Sequence, residues 1–180
     1  MSDAEHAYQW KRRDSILYRA ELSTLYHRKR GRFLALLDKW GKLFTLLFGS
    51  AAFVQLLTVD KHPLLALPFA ILAFANLIFD FAECARKHGE LASDFKMLEA
   101  TIEASGERDF TEDSLNAWSA RIREIESGGW PTYTLLLRMC QNEIARAKGK
   151  SADITHIPWW RSKLANFIRF SNYEVKTARP

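Results

Sequence analysis

The sequence predicts an all-α protein built around a two-helix transmembrane hairpin. Two observations point there. LFTLLFGSAAFVQLLTV, Leu43 to Val59, carries no charged residue, and LLALPFAILAFANLIF, Leu64 to Phe79, carries none either. Outside them, apolar residues recur at helical spacing, and no stretch alternates as a strand would. The 180 residues suffice for one domain with an appendage. Residues 1–149 form the two-span domain, with spans at about 43–59 and 64–79, and residues 150–180 form a tail. A mean hydropathy of −0.21 hides this pattern, because the apolar residues crowd the middle and charge crowds the flanks.

The first element is a helix ahead of the first span. Tyr18, Leu22, Leu25, Tyr26 and Phe33 share helical spacing, with bases between them, and the helix is expected to run into the span. At about 1.5 Å per residue, an uncharged run of about 17 residues covers about 26 Å. That is short but acceptable for a hydrocarbon core of about 30 Å. Lys39, Trp40 and Lys42 precede the run as interfacial anchors would. Asp60-Lys61-His62-Pro63 makes a polar turn, and Asp80, Glu83, Arg86 and Lys87 follow the second run. Pro68 lies in the second run's first turns, where a missing N–H costs least. Neither run shows the polar face of a soluble amphipathic helix.

Basic residues set the orientation. Arg28, Lys29, Arg30, Arg32, Lys39 and Lys42 all precede the first span, whereas the turn has only Lys61 beside Asp60. The positive-inside rule places both termini in the cytoplasm. The opening residues are polar, so no secretory signal is expected. Cys84 and Cys140 offer no disulfide framework and no zinc spacing, and both fit as small buried helix residues.

Within or beside the spans, Thr45, Ser50, Gln55, Asn76 and Asp80 are polar groups that would seek partners in protein or a wet lumen. Gly49-Ser50-Ala51-Ala52 permits close helix approach. Ser50, Gln55, Asn76 and Asp80 are therefore the candidate pore residues, with glue inside one hairpin as the plainer alternative. Two helices cannot enclose a pore, so a conducting form must be a homo-oligomer.

After the second span the helical pattern resumes at Leu91, Phe95, Leu98 and Ile102 and stops at Ser105-Gly106. Thr111 reads as an N-cap, with Glu112 and Asp113 suiting the helix dipole. Leu115, Trp118, Ile122 and Ile125 form one apolar face, broken by Gly128-Gly129-Trp130-Pro131. Tyr133, Leu136, Leu137, Cys140 and Ile144 form the next, ending near Gly149. The tail holds an amphipathic helix at about 158–171. Trp160, Leu164, Phe167 and Ile168 share its apolar face, and Arg161, Lys163 and Arg169 point away. The paired Trp159 and Trp160 read as interfacial anchors, so the helix lies either on the inner leaflet or on the bundle. Single-stranded nucleic acid suits aromatics among bases too, but an adjacent membrane makes that the weaker expectation.

No catalytic constellation emerges, and no enzyme, cofactor or metal is expected. His27 and His88 lack metal-ligand spacing, and no phosphate-cradling glycine loop occurs. Glu99 and Glu103, four apart, read as a solvated face rather than half of a di-metal site. His88 and Glu143 could form a buried hydrogen-bonded pair tying two helices together. The cluster Arg28, Lys29, Arg30 and Arg32 suits anionic lipid or an anionic ligand.

These pieces resemble one family. Tyr26-His27 precedes the hairpin. Glu83, Ala85, His88, Leu91, Phe95 and Leu98 follow it, and Glu126, Pro131, Tyr133, Cys140, Asn142-Glu143, Ala145 and Gly149 come later. Together they look like the SLATT family, the SMODS- and SLOG-associating two-transmembrane effector domains, over roughly Tyr18 to Gly149. The resemblance implies a bacterial conflict-system effector. A sensor, often a nucleotidyltransferase making a nucleotide second messenger, would trigger it to assemble and permeabilise the inner membrane, killing the infected cell. No fused sensor domain is expected, so a partner protein or diffusible ligand would have to act. The alternative is a non-conducting membrane-anchored helical scaffold or sensor module.

Overall fold

A computed structural model describes residues 3–48, 71, 78–107, 109–128 and 132–168. The fold is all-α: helices are the only regular elements among the described residues besides one short 3₁₀ turn. They are α1 (Asp3–Phe48), α2 (Phe81–Ala104), α3 (Glu112–Glu126), α4 (Thr134–Ala147) and α5 (Trp159–Leu164). The 3₁₀ turn, Ser151–Asp153, leads towards α5. The chain divides into two compact units, Met1–Arg28 with Gly89–Pro180, and Lys29–His88. The tail after residue 149 falls in the first of these units.

In the first unit, α1 is buried on two opposite faces. Ile16 and Ala20 join Phe95, Leu98, Ile102, Leu115, Trp118, Ile122 and Ile125 in one core. Leu22 and Tyr26 join Leu135, Leu136, Cys140, Ile144 and Ala165 in a second. At about 100° per residue, 16 and 20 lie on one side of the helix and 22 and 26 on the other. The helix begins well before Tyr18, where the sequence shows no single apolar stripe.

The ends of the shorter helices follow local rules. Thr111 Oγ1 accepts the Ser114 N–H at 3.2 Å, the expected N-cap of α3. Tyr133, which opens α4, has no side-chain cap of its own; its N–H goes to the Tyr26 hydroxyl at 3.1 Å. At the other end of α4, Lys150 N–H bonds Ala145 C=O and Gly149 N–H bonds Arg146 C=O. This double closure needs a left-handed residue, and Gly149 supplies it at φ +69°. Gly106, at φ +73°, ends α2 as the sequence predicts.

The tail is fastened to α4. The Asn142 side chain donates to the Thr155 carbonyl at 2.7 Å and accepts the Thr155 N–H at 2.9 Å. Ile157 packs on the second core, and Ala165 is wholly buried in it. The observed helix is six residues long, shorter than the expected 158–171, and residues 169–171 lie outside the described part. Of the expected apolar face, Leu164 is half-buried, and Trp160, Phe167 and Ile168 are exposed.

In the second unit, α1 continues to Phe48 and α2 begins at Phe81. Most of the expected hairpin lies outside the described residues. Leu43–Phe48 are helical, as are Ile71, Ile78 and Phe79. Among the described residues no helix is long and apolar enough to cross a membrane.

Two substitutions test this packing. Ile122→Ala should lower unfolding stability by about 2–5 kcal/mol, the usual cost of truncating a buried branched side chain, whereas exposed Arg121→Ala stays within about 0.5 kcal/mol. Asn142→Ala removes both bonds to Thr155, so hydrogen exchange at the Thr155 amide should accelerate sharply while amides inside α3 keep their protection.

Candidate functional site: the apolar end and its basic collar

The second unit presents apolar side chains to its surroundings. Leu36, Trp40, Leu43 and Leu47 are exposed and fall on one stripe of α1, at spacings of four, three and four. Leu46, 73% exposed, flanks the stripe. Ile71, Ile78 and Phe79 are exposed too. Trp40 stacks on Phe44 with ring centroids 5.9 Å apart, which stiffens the stripe without covering it. Charge thins along the same helix. Asp38 and Lys42 pair at 2.7 Å, and no charged side chain follows within α1.

Of the candidate pore residues, Ser50, Gln55 and Asn76 lie outside the described residues. Asp80 is described, and its role there is structural. Its side chain accepts the Glu83 N–H at 3.2 Å and its carbonyl accepts the Cys84 N–H at 3.0 Å. It thereby caps the first turn of α2, at φ +37°, a left-handed backbone that aspartate tolerates better than most residues. Thr45 is also satisfied locally, donating to the Gly41 carbonyl at 2.9 Å. Glu83 sits in the first turn and pairs with Arg86 at 2.6 Å, and that hydrogen bond holds its carboxyl below the usual range.

The basic cluster divides. Arg28 and Arg32, four apart, are exposed on one face of α1, and Lys29 is half-exposed. Arg30 is half-exposed as well, its guanidinium 5.5 Å from the Phe33 ring and its charge acting on His88. The fully exposed members are Arg28 and Arg32.

Of the expected pair His88 and Glu143, His88 is buried and Glu143 is exposed on α4. Burial first, and then the neighbouring Arg30, push the His88 imidazole down to about 4, which leaves it neutral at pH 7.

Several polar residues of the first unit escaped the sequence reading. Glu99 is 4% exposed, not solvated: it accepts a hydrogen bond from Thr24 and another from Lys96 at 2.6 Å. Glu103, its expected partner, is exposed. His27 stacks on Phe95, with ring centroids 5.8 Å apart. Arg13 is 8% exposed, its guanidinium 5.7 Å from each of the Trp10 and Phe110 rings, and donates to the Ile102 carbonyl at 3.1 Å. It thus satisfies a carbonyl in the last turn of α2. The spacing of Trp10 and Arg13, three apart on a helix, was the available signal.

Compared with family models, with curated proteins and with solved structures, the chain matches none.

The buried imidazole makes stability depend on pH. His88 binds its proton more weakly folded than unfolded, so the unfolded state takes up the proton first on acidification. Stability should be level above about pH 6.5 and fall towards pH 4, by at most about 1.4 kcal/mol per unit. Denaturant titrations of wild type and His88→Leu across that window should differ in slope, with the variant flatter.

Proposed function

We propose that this chain is a two-span membrane protein of the SLATT type, which assembles and permeabilises the bacterial inner membrane as a conflict-system effector. The observation that carries the reading is the exposed stripe Leu36, Trp40, Leu43 and Leu47, with Leu46, Ile71, Ile78 and Phe79. Burying an apolar side chain of this size gains about 1.5–3 kcal/mol, so a set of them left in water is costly. Lipid tails around spans at 43–59 and 64–79 would relieve that cost. Trp40 would sit at headgroup level, where its ring and its N–H are both at home.

Both termini then lie in the cytoplasm, on the side of Arg28, Lys29, Arg30 and Arg32. Those four bases suit anionic headgroups or an anionic signal such as a nucleotide, and a sensor protein is the other candidate trigger. Whatever the trigger, it must bind the open and closed assemblies unequally to shift the balance between them. Ser50, Gln55 and Asn76 are the groups that would face a wet path in an oligomer. Asp80, which caps α2, would stand at the cytoplasmic mouth. No enzymatic step is needed for such an effector.

Cell fractionation tests the membrane reading first. The protein should stay with carbonate-washed membranes and require detergent for release; a monomer in the supernatant without surfactant ends the proposal. Membrane potential tests the pore. Induced cells should depolarise when the trigger is present, and Gln55→Leu with Asn76→Leu should reduce the effect. Unchanged depolarisation in the double variant removes those two residues from the path. No depolarisation by wild type under any trigger leaves the non-conducting scaffold.

A further inference from the structure

The tail joins two properties on one short segment. Its inner side is fixed to the first unit through the Asn142–Thr155 bonds, Ile157 and Ala165. Its outer side carries Trp159, at 77% the most exposed of the large apolar side chains among the described residues. Trp160, Phe167 and Ile168 are exposed beside it.

Spacing explains the division. Trp159, Lys163 and Phe167 recur four apart, and the turn after α5 keeps helical hydrogen bonds, Ile168 N–H to Leu164 C=O at 3.0 Å. Ala165 falls on the opposite side of the same turn and is buried. The exposed side is thus aromatic with a base at its centre. Arg161 is half-buried and turned from this side, its Nε buried and its guanidinium 4.9 Å from the Trp160 ring. From Ile154 to Ile168 the sequence holds no carboxylate.

We infer that this outer side of the tail is a docking face for the surface of an anionic bilayer. It is held at a fixed place by the bundle and does not depend on the spans for its affinity. Charge complementarity selects the occupant. An exposed lysine at the centre of the face, with no acid from Ile154 to Ile168, fits phosphatidylglycerol-type headgroups, and tryptophan with phenylalanine fits the boundary between headgroups and acyl chains. The patch is too small for a stable protein interface, since four exposed side chains fall well short of the roughly 20 residues a standard interface presents on each side. A bilayer has no such minimum, because each residue partitions by itself. The inference uses the membrane reading above only to supply a bilayer.

A fluorophore on Phe167→Cys, in a chain with half-buried Cys84 changed to Ser, reports the face directly. The labelled full-length protein is placed in nanodiscs of phosphatidylcholine alone or with phosphatidylglycerol, and a second sample carries the label at exposed Ser127→Cys. In the anionic discs the residue 167 label should shift to the blue and resist aqueous iodide, and high salt should weaken both effects. The residue 127 label should do neither. Lys163→Gln should lower the docked-to-free ratio about fivefold, the weight of one base near an anionic surface. Trp159→Ser with Trp160→Ser should abolish the shift.

A 167 label that stays fully quenched in anionic discs overturns the inference. So does a blue shift already present in detergent without lipid, which would mean a protein contact. Failure of the chain to enter discs overturns the hairpin but not this face. In that case, flotation with phosphatidylglycerol vesicles that is lost in the double tryptophan variant still supports docking, and no flotation overturns it.

Discussion

The first unit depends on one helix being buried from two directions. Ala20, with no exposed surface, sits in the core shared with α2 and α3, while Tyr26, six residues on, anchors the core shared with α4 and the tail. A larger side chain at 20 would push against Phe95 and Ile102, which are themselves fully enclosed. Tyr26 serves twice, since its ring fills the second core and its hydroxyl supplies the acceptor that α4 needs at its first turn. Remove that helix and α3 has no common core with α4.

Polar contacts in this unit refine what packing already sets. Buried groups matter most, because each would cost about 1–3 kcal/mol if left without a partner. Thr24 with Glu99 and Arg13 with the Ile102 carbonyl join segments far apart in sequence, and Asn142 with Thr155 ties the tail to α4, each through a group shielded from water. The exposed ion pairs, Arg19 with Glu126 and Lys148 with Glu21, join α1 to the ends of α3 and α4. Solvent screens them, so they are worth at most about 1 kcal/mol each. They agree with the packing rather than dictate it.

How much could be read in advance follows from the same geometry. Helix α3 buries one side, so Leu115, Trp118, Ile122 and Ile125 fall on a single stripe and were legible; α4 is buried on most sides, so Leu136, Cys140 and Ile144 were legible while Leu135 and Arg138 were not. Thr111, Gly106 and Gly149 act through bonds within a few residues, and short-range signals survive in sequence. The start of α1 was hidden because two opposed buried faces cancel the periodicity that marks an amphipathic helix. Glu99 looked like surface because Thr24, its partner, lies 75 residues away. Nothing local indicates either that the charge of Arg30 acts on His88.

The tail and the apolar stripe differ in what can cover them. On α1 the exposed Leu36, Trp40, Leu43 and Leu47 run for about three turns, and Leu46 lies off their line. Cover on that scale must wrap the helix along its length, as acyl chains or a second copy of the helix can. The tail offers a few aromatic rings and one exposed base over about two turns. Such a face can only rest on a surface, and its fixed back keeps the rings presented rather than folded inward. With the back already held, docking costs less ordering entropy than it would for a free tail. One chain thus carries an apolar segment that needs enclosure and a second, smaller one that needs only contact.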